Sequence, residues 1–411
     1  MSSGRQLALA TAAFCVCFYA WSLLGPLGPD IQDELGLSEL ELSLVVSTPV
    51  VLGSLMRIPL GALTDRHGGR AVFTALLAFT PLPLAGLALL ADASLALVLA
   101  LGFLLGFAGA SFAVGVPFVN RWFPPERQGA ALGVYGMGMG GTVLGGLTAP
   151  AIADAWGLSA PFWVALGLVA ATAVAFWLLA RDAAPPPPKD ERPAMFASLS
   201  VFRTSGRAWA LTFFYFLAFG GFVAMFLYLP TLLTGVHDLG KSDAGARAAG
   251  FALLAVLARP VGGWLSDRIG AAAVLSASFT ATAALALALA FGYEAMVPLT
   301  IACLTLAAAL GLGTGAVFKL VPEWFPDRVG GVTGVVGAAG GLGGFFPPLV
   351  MGLVNEATGG YFLGFALMAA VALACLLTLR RATRTSRAGP ATRTSRAGPA
   401  TRTSRAGPYR G

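Results

Sequence analysis

Twelve apolar runs, each close to the ~20 residues that a helix needs to cross a bilayer, fill nearly the whole chain. They fall at 7–28, 41–64, 71–91, 94–119, 128–152, 158–180, 207–235, 243–265, 271–292, 296–320, 329–354 and 360–380, bounded by charges or Gly/Pro turns. Each is read as a helix. Composition agrees: 57% hydrophobic and 11% charged residues, with a mean hydropathy of +0.80, lie far outside the range of soluble domains. The expected fold is therefore an all-α membrane protein with lipid as its solvent.

The formal net charge of +7 points to nucleic acid or anionic partners only until it is located. From Arg380 to Gly411 there are nine arginines and no acidic residue. That leaves 17 basic against 19 acidic residues in the rest of the chain, so no nucleic-acid partner is expected. Cys15, Cys17, Cys303 and Cys375 all lie in apolar runs, as small hydrophobes rather than a disulfide framework. The N-terminal run lacks a small-residue cleavage pattern and reads as the first span.

Lys and Arg in short loops are held on the cytoplasmic side. Here they sit in alternate connections: Asp65 to Arg70, Arg121 to Arg127, Arg181 to Arg207, Asp267-Arg268 and Asp327-Arg328, with the basic tail in the same set. The opposite connections hold only Lys241 and Arg247. Both termini are expected in the cytoplasm of a cell whose inner or plasma membrane holds the protein. The stiff run Pro185 to Pro188 divides the chain, giving an N-terminal half 1–182, a linker 183–206 and a C-terminal half 207–381. Residues 382–411 hold three copies of Ala-Thr-Arg-Thr-Ser-Arg-Ala-Gly-Pro and are expected to be a disordered basic tail.

The halves repeat each other. Arg57, Asp65 and Trp122 recur as Arg259, Asp267 and Trp324, each at an offset of 202 residues. Arg57-Ile-Pro-Leu-Gly-Ala-Leu-Thr-Asp-Arg66 matches Arg259-Pro-Val-Gly-Gly-Trp-Leu-Ser-Asp-Arg268, and Trp122-Phe-Pro124 matches Trp324-Phe-Pro326. Two six-helix halves in the same orientation are related by an axis along the membrane normal, with a substrate site between them at midplane depth.

Gly61-Ala-Leu-Thr-Asp65-Arg66-His-Gly-Gly-Arg70 resembles the loop motif between the second and third helices of the major facilitator superfamily. The resemblance covers the chain to about Arg381. It implies that acid and base at Asp65, Arg66 and Arg70, repeated at Asp267 and Arg268, pair helix ends and bias the access state. Gly61 would permit close helix contact. The alternative for these charges is topology setting alone.

Arg57 lies eight residues before Asp65, about 12 Å along a helix and so near the middle of a ~30 Å core. Arg259 lies at the same depth by the same count. A guanidinium there costs from about 2.5 to above 10 kcal/mol unless it faces water or an anion. No Asp or Glu falls at midplane, and His67 and His237 are in loops. Two facing cations without an acid imply that the counter-ion is the substrate, and Arg suits a small planar oxyanion through its fixed fork of donors. Alternatively, each arginine caps carbonyls of a broken helix near Pro59 and Pro260.

A narrower resemblance is to the nitrate/nitrite porters, carried by Gly109-Ala-Ser-Phe-Ala-Val-Gly115, Trp122-Phe-Pro-Pro-Glu-Arg-Gln-Gly129, Phe318-Lys319, and Trp324-Phe-Pro326 leading into Gly334 to Pro348. It implies that Arg57 and Arg259 hold the anion with aromatic contacts from Phe112, Tyr215 and Phe219. Tyr215 and Phe219, four residues apart, share a helix face. Glycine tracts on helices five and eleven, among them Gly136, Gly140, Gly337 and Gly341, would let helices slide. The family carries asparagine within these tracts, whereas this chain has Met139, Gly140 and Gly341, and its two asparagines are Asn120 and Asn355.

The reading is a monomeric nitrate/nitrite porter working by alternating access, with exchange of the two anions placed slightly ahead of proton-coupled uptake. Nothing resembles a nucleotide loop, metal cluster or nucleophile arrangement, so neither a cofactor nor enzymatic chemistry is expected. The rivals are a facilitator for another small anion, such as a short organic carboxylate, and a non-transporting membrane sensor.

Overall fold

The computed structural model describes residues 2–90, 94–186, 188, 190 and 200–387. Ten of its helices are long and apolar enough to cross a membrane: α2 (Leu40–His67), α3 (Gly69–Leu90), α4 (Leu95–Asn120), α5 (Pro125–Trp156), α6 (Ala160–Leu179), α7 (Gly206–His237), α8 (Asp243–Ile269), α9 (Ala271–Gly292), α10 (Met296–Trp324) and α12 (Phe362–Thr383). Two more, α1 (Ser3–Trp21) and α11 (Val329–Thr358), complete the twelve expected segments among the described residues. Most of the linker and the residues of the tail beyond Arg387 lie outside the described residues; the last helix itself runs to Arg387.

The first span differs from its expected bounds. Helix α1 ends at Trp21, and the chain turns through Gly25 and Pro26 into a short helix, Gly28–Leu35, with proline in its first turn. Gly36 closes that helix at φ 63°, a left-handed conformation natural to glycine. Two residues on, Ser38 and Glu41 form a capping box: the Glu41 carboxylate accepts from the Ser38 amide at 2.9 Å and the Ser38 hydroxyl from the Glu41 amide at 3.4 Å. An apolar run alone does not mark such a corner, because leucines continue through it.

Each half presents two helices to the other across the central seam. Helix α2 packs on α11, and α8 on α5. Glycine makes both approaches possible. A Cβ on Gly61 would run into the Gly330 carbonyl, and one on Gly263 into that of Gly129. The outer surface is apolar, with Leu82, Leu147, Trp156, Phe291, Val297 and Ile301 all more than 60% exposed, as a lipid-facing wall requires.

Three spans depart from regular α-helix next to the seam. Helix α4 breaks at Ala110, α5 tightens into a 3-10 turn at Met137–Gly140, and α7 contains a π segment at Phe216–Gly220. Such irregularities redirect carbonyls and side chains that a straight helix would keep to itself.

Candidate functional site

Arg57 and Arg259 enter the centre of the seam from α2 and α8 and are 4% and 2% exposed. Arg57 donates from Nε to the Gly109 carbonyl of α4 at 3.2 Å and from Nη1 to the Gly337 carbonyl of α11 at 2.5 Å. Arg259 donates from Nη1 to the Gly136 carbonyl of α5 at 3.2 Å, and its Nη2 lies 3.0 Å from the Met139 sulfur. Gly136 and Gly337 correspond in the two halves. Each guanidinium thus reaches out of its own half to the matching carbonyl of the other.

The helix breaks supply these carbonyls. The Ala113 amide bonds the Ala110 carbonyl at 3.0 Å, a one-residue slip from the α pattern that leaves the Gly109 carbonyl to Arg57. In α5 the 3-10 turn follows Gly136 directly. Carbonyl capping, the alternative raised by the sequence, is therefore present in this conformation. It offers dipoles rather than a full counter-charge: among the described residues, no carboxylate lies within 4.0 Å of either guanidinium.

The structure brings the three expected aromatics to the same place. Phe219 lies between the cations, its ring centroid 5.9 Å from the Arg57 guanidinium carbon and 5.5 Å from that of Arg259, a cation–π distance for both. Tyr215 stacks on Phe219 at 5.1 Å, and Phe112 lies parallel to Tyr215 at 6.3 Å. Phe318 meets Phe112 and Tyr215 edge-on, both at 4.6 Å. A small cavity against Arg259 is lined by Phe112, Leu132, Gly133, Thr314 and Phe318. The assembly is a buried aromatic cluster in contact with both guanidinium groups.

Sequence reasoning did not assign Phe222, whose ring centre is 5.6 Å from the Arg259 guanidinium, nor Tyr135, which stacks on Phe112 and donates to the Ser111 carbonyl at 2.9 Å. Phe318 was quoted within a motif without a site role. Its corresponding residue in the first half is Val116, so the repeat gave no signal for it.

Comparison with known proteins gives the family and the fold. The Major Facilitator Superfamily profile matches residues 10–247 and 236–407. A probable nitrate/nitrite transporter, NarK2 of Mycobacterium tuberculosis, is 44% identical over 91% of this chain and 95% of its own length. The chain belongs to the nitrate/nitrite porters of the major facilitator superfamily. The porter is also 38% identical to a nitrite extrusion protein of Bacillus subtilis, over 90% of this chain and 92% of that one. It is 34% identical to a probable nitrate transporter, NarT of Staphylococcus epidermidis, over 93% and 97%. Among solved structures, the human organic anion transporter MFSD10 superposes with a TM-score of 0.77, at 18% identity over 92% of this chain and all of that one. The Escherichia coli fucose:proton symporter FucP gives 0.73 at 18% identity, over 92% and 99%. These two share the fold. The porter is a multi-pass membrane transporter and not an enzyme.

At the end of the bundle that carries the charged loops, two acids tie the porter's halves together. Asp65 accepts from the Gly330 and Gly331 amides at 3.1 and 2.9 Å, at the N-terminus of α11. Asp267 accepts from the Gly129 and Ala130 amides at 2.9 and 2.7 Å, near the start of α5. Free amides and the dipole of a helix N-terminus favour a carboxylate there. The cations beside the acids are ones the sequence did not single out. Arg121 approaches Asp65 at 3.6 Å, and the buried Lys319 pairs with Asp267 at 2.8 Å while donating to the Pro125 carbonyl of the other half.

The expected bases lie elsewhere. Arg70 donates to the Trp177 carbonyl at 2.7 Å and lies over its ring, Arg268 lies over Trp264, and the buried Nε of Arg66 has no hydrogen-bond partner. The tract glycines also divide. A side chain at Gly341 would collide with Ser54, and one at Gly337 would crowd Arg57 at 3.2 Å. A Cβ on Gly136 meets Arg259 at an ordinary 3.4 Å, and Gly140 faces open space, so what Gly136 contributes is its carbonyl.

Proposed function

We propose that this porter moves nitrate and nitrite across the inner or plasma membrane by alternating access, binding the anion between Arg57 and Arg259 within the cluster of Phe112, Tyr215 and Phe219. The observation that carries the reading is the pair of buried guanidinium groups, one from each half, with no carboxylate in reach among the described residues. Burial of a charge is tolerable only when it is paired, and here the partner must arrive from outside. An anion accepting from both guanidinium groups would replace the cross-half carbonyl bonds. The similarity to a nitrate/nitrite transporter, a nitrite extrusion protein and a nitrate transporter supports these two anions as substrates.

Exchange follows from the same contacts. Parting the halves breaks the Arg57–Gly337 and Arg259–Gly136 bonds, and in the empty carrier only water replaces them, which must be stripped from both cations when the halves close again. A loaded carrier keeps its cations neutralised as it reorients, so swapping one anion for another runs faster than net uptake. Proton-coupled uptake is the second reading. It needs a group that neutralises the arginines by protonation, and the two histidines, expected in loops, are instead the last residues of α2 and α7, ten residues beyond Arg57 and eighteen beyond Phe219 on those helices. The charged loops and both termini face the cytoplasm, so the Asp65 and Asp267 ties close the cytoplasmic end here. The monomer is the working unit, since one chain supplies both halves of the site.

The test is uptake of labelled nitrate into proteoliposomes challenged with excess nitrite, formate or acetate. Competition by nitrite and not by the carboxylates supports the reading. Equal competition by acetate would transfer the site to small organic anions.

A further inference from the structure

The two arginines are not equivalent, and the difference lies in which edge of each guanidinium is occupied. A guanidinium binds an oxyanion most tightly through the parallel donors of Nε and Nη2. In Arg57 this fork is engaged, because Nε already donates to the Gly109 carbonyl. In Arg259, among the described residues, the Nε is buried without a partner and Nη2 has only the thioether of Met139, a weak acceptor. The backbone carbonyl takes Nη1, on the other edge. Arg259 is 2% exposed and lines the small cavity with Phe112, Gly136 and Phe318, so a guanidinium with an unfilled fork is buried beside that cavity.

Met139 has no counterpart in the second half. The corresponding residue, counted from the Gly136 and Gly337 pair, is Gly340, whose missing side chain leaves room for the Tyr215 ring. The asymmetry is therefore written in the sequence as well as in the contacts.

Resting on the reading of an anion site, we propose that Arg259 is the first anchor of the anion and that Met139 is a displaceable placeholder on its fork. The entering oxyanion takes Nε and Nη2 of Arg259 and pushes the sulfur aside. Arg57 engages only as the halves move and the Gly109 and Gly337 carbonyls let go. A thioether suits this task because it is soft and adaptable in shape, and because it yields its place to any oxygen acceptor. Met139 acts through Arg259 and is a positioning residue. It lowers affinity so that the anion can also leave.

The substitution M139L keeps the volume and removes the sulfur. It leaves Nη2 unpartnered in the empty protein, so nitrate binds more tightly, by about three- to tenfold, the worth of one hydrogen bond. In proteoliposomes KM and kcat should both fall, since release becomes slower. A residue that merely fills space would lower kcat without tightening binding. The second comparison uses R259K and R57K: although both abolish efficient transport, R259K should raise the nitrate Kd at least about tenfold more than R57K. Binding is measured by titration calorimetry on purified protein with nitrate and with nitrite as probes. Tighter binding in M139L together with the unequal lysine variants supports the proposal. An unchanged or weaker affinity in M139L, or equal losses in the two lysine variants, overturns it. If the wild-type protein binds neither anion, the reading of the substrate fails instead, and the two failures are thereby told apart.

Discussion

Arg57 and Arg259 each combine burial, a cross-half carbonyl and a place beside Phe219, and the proposed anion site draws on that geometry rather than on charge alone. Replacing either by lysine keeps the charge but removes the planar fork. We expect R57K and R259K each to reduce nitrate uptake at least about tenfold while inserting normally. Near-wild-type uptake by either variant would remove that arginine from the binding site. Phe219 carries a second expectation. Because its ring lies within 6 Å of both cations, F219A should raise the KM for nitrate several-fold, and F219Y, which keeps the ring, should restore most of it, as read from uptake kinetics. The five central residues were readable from the sequence because the 202-residue repeat fixed the depth of the arginines and the family motif fixed the aromatics. Met139, Arg121 and Lys319 were not. Their roles depend on what the other half, or a distant helix, places beside them, and no periodicity within one segment reports that.

The spans were readable as elements because an apolar run long enough to cross lipid has few alternatives. Their irregularities were not. The slip at Ala110, the 3-10 turn at Met137–Gly140 and the π segment at Phe216–Gly220 all lie in apolar, helix-compatible sequence. They persist because the freed groups find tertiary partners, as the Gly109 carbonyl finds Arg57. The early end of α1 has a local cause in Gly25, Pro26 and Pro29, which a hydropathy pattern passes over. The acidic ties at α11 and α5 yield a prediction at this scale. Asp267→Asn keeps one acceptor for the Gly129 and Ala130 amides but loses the charge that holds Lys319. In a background with the four native cysteines replaced, Ala130→Cys should react with an impermeant maleimide severalfold faster when Asp267→Asn is present. Equal labelling rates would show that the tie does not hold this end closed.

Across the whole molecule, two six-helix halves meet through the glycine-lined pairs α2–α11 and α5–α8, and the two arginines and their aromatic neighbours lie on that seam. The first basic repeat begins inside the last helix, at Ala382, and the rest follow Arg387 far along the chain from the arginines, so truncation after Arg387 should leave nitrate uptake within a factor of about two, the tail having only surface electrostatics to offer. The architecture makes a stronger demand on coupling. On the proposed reading, an empty carrier exchanges both cross-half guanidinium bonds for water that closing must strip away, whereas a loaded one carries its counter-charge along. The direct measurement is nitrate uptake into proteoliposomes preloaded with nitrite, compared with empty ones at equal pH and then with an inward proton gradient imposed. The account requires strong stimulation by internal nitrite and little by the gradient. Rapid gradient-driven uptake into empty liposomes would contradict it, because the two arginines would then be neutralised by protonation rather than by the exchanged anion.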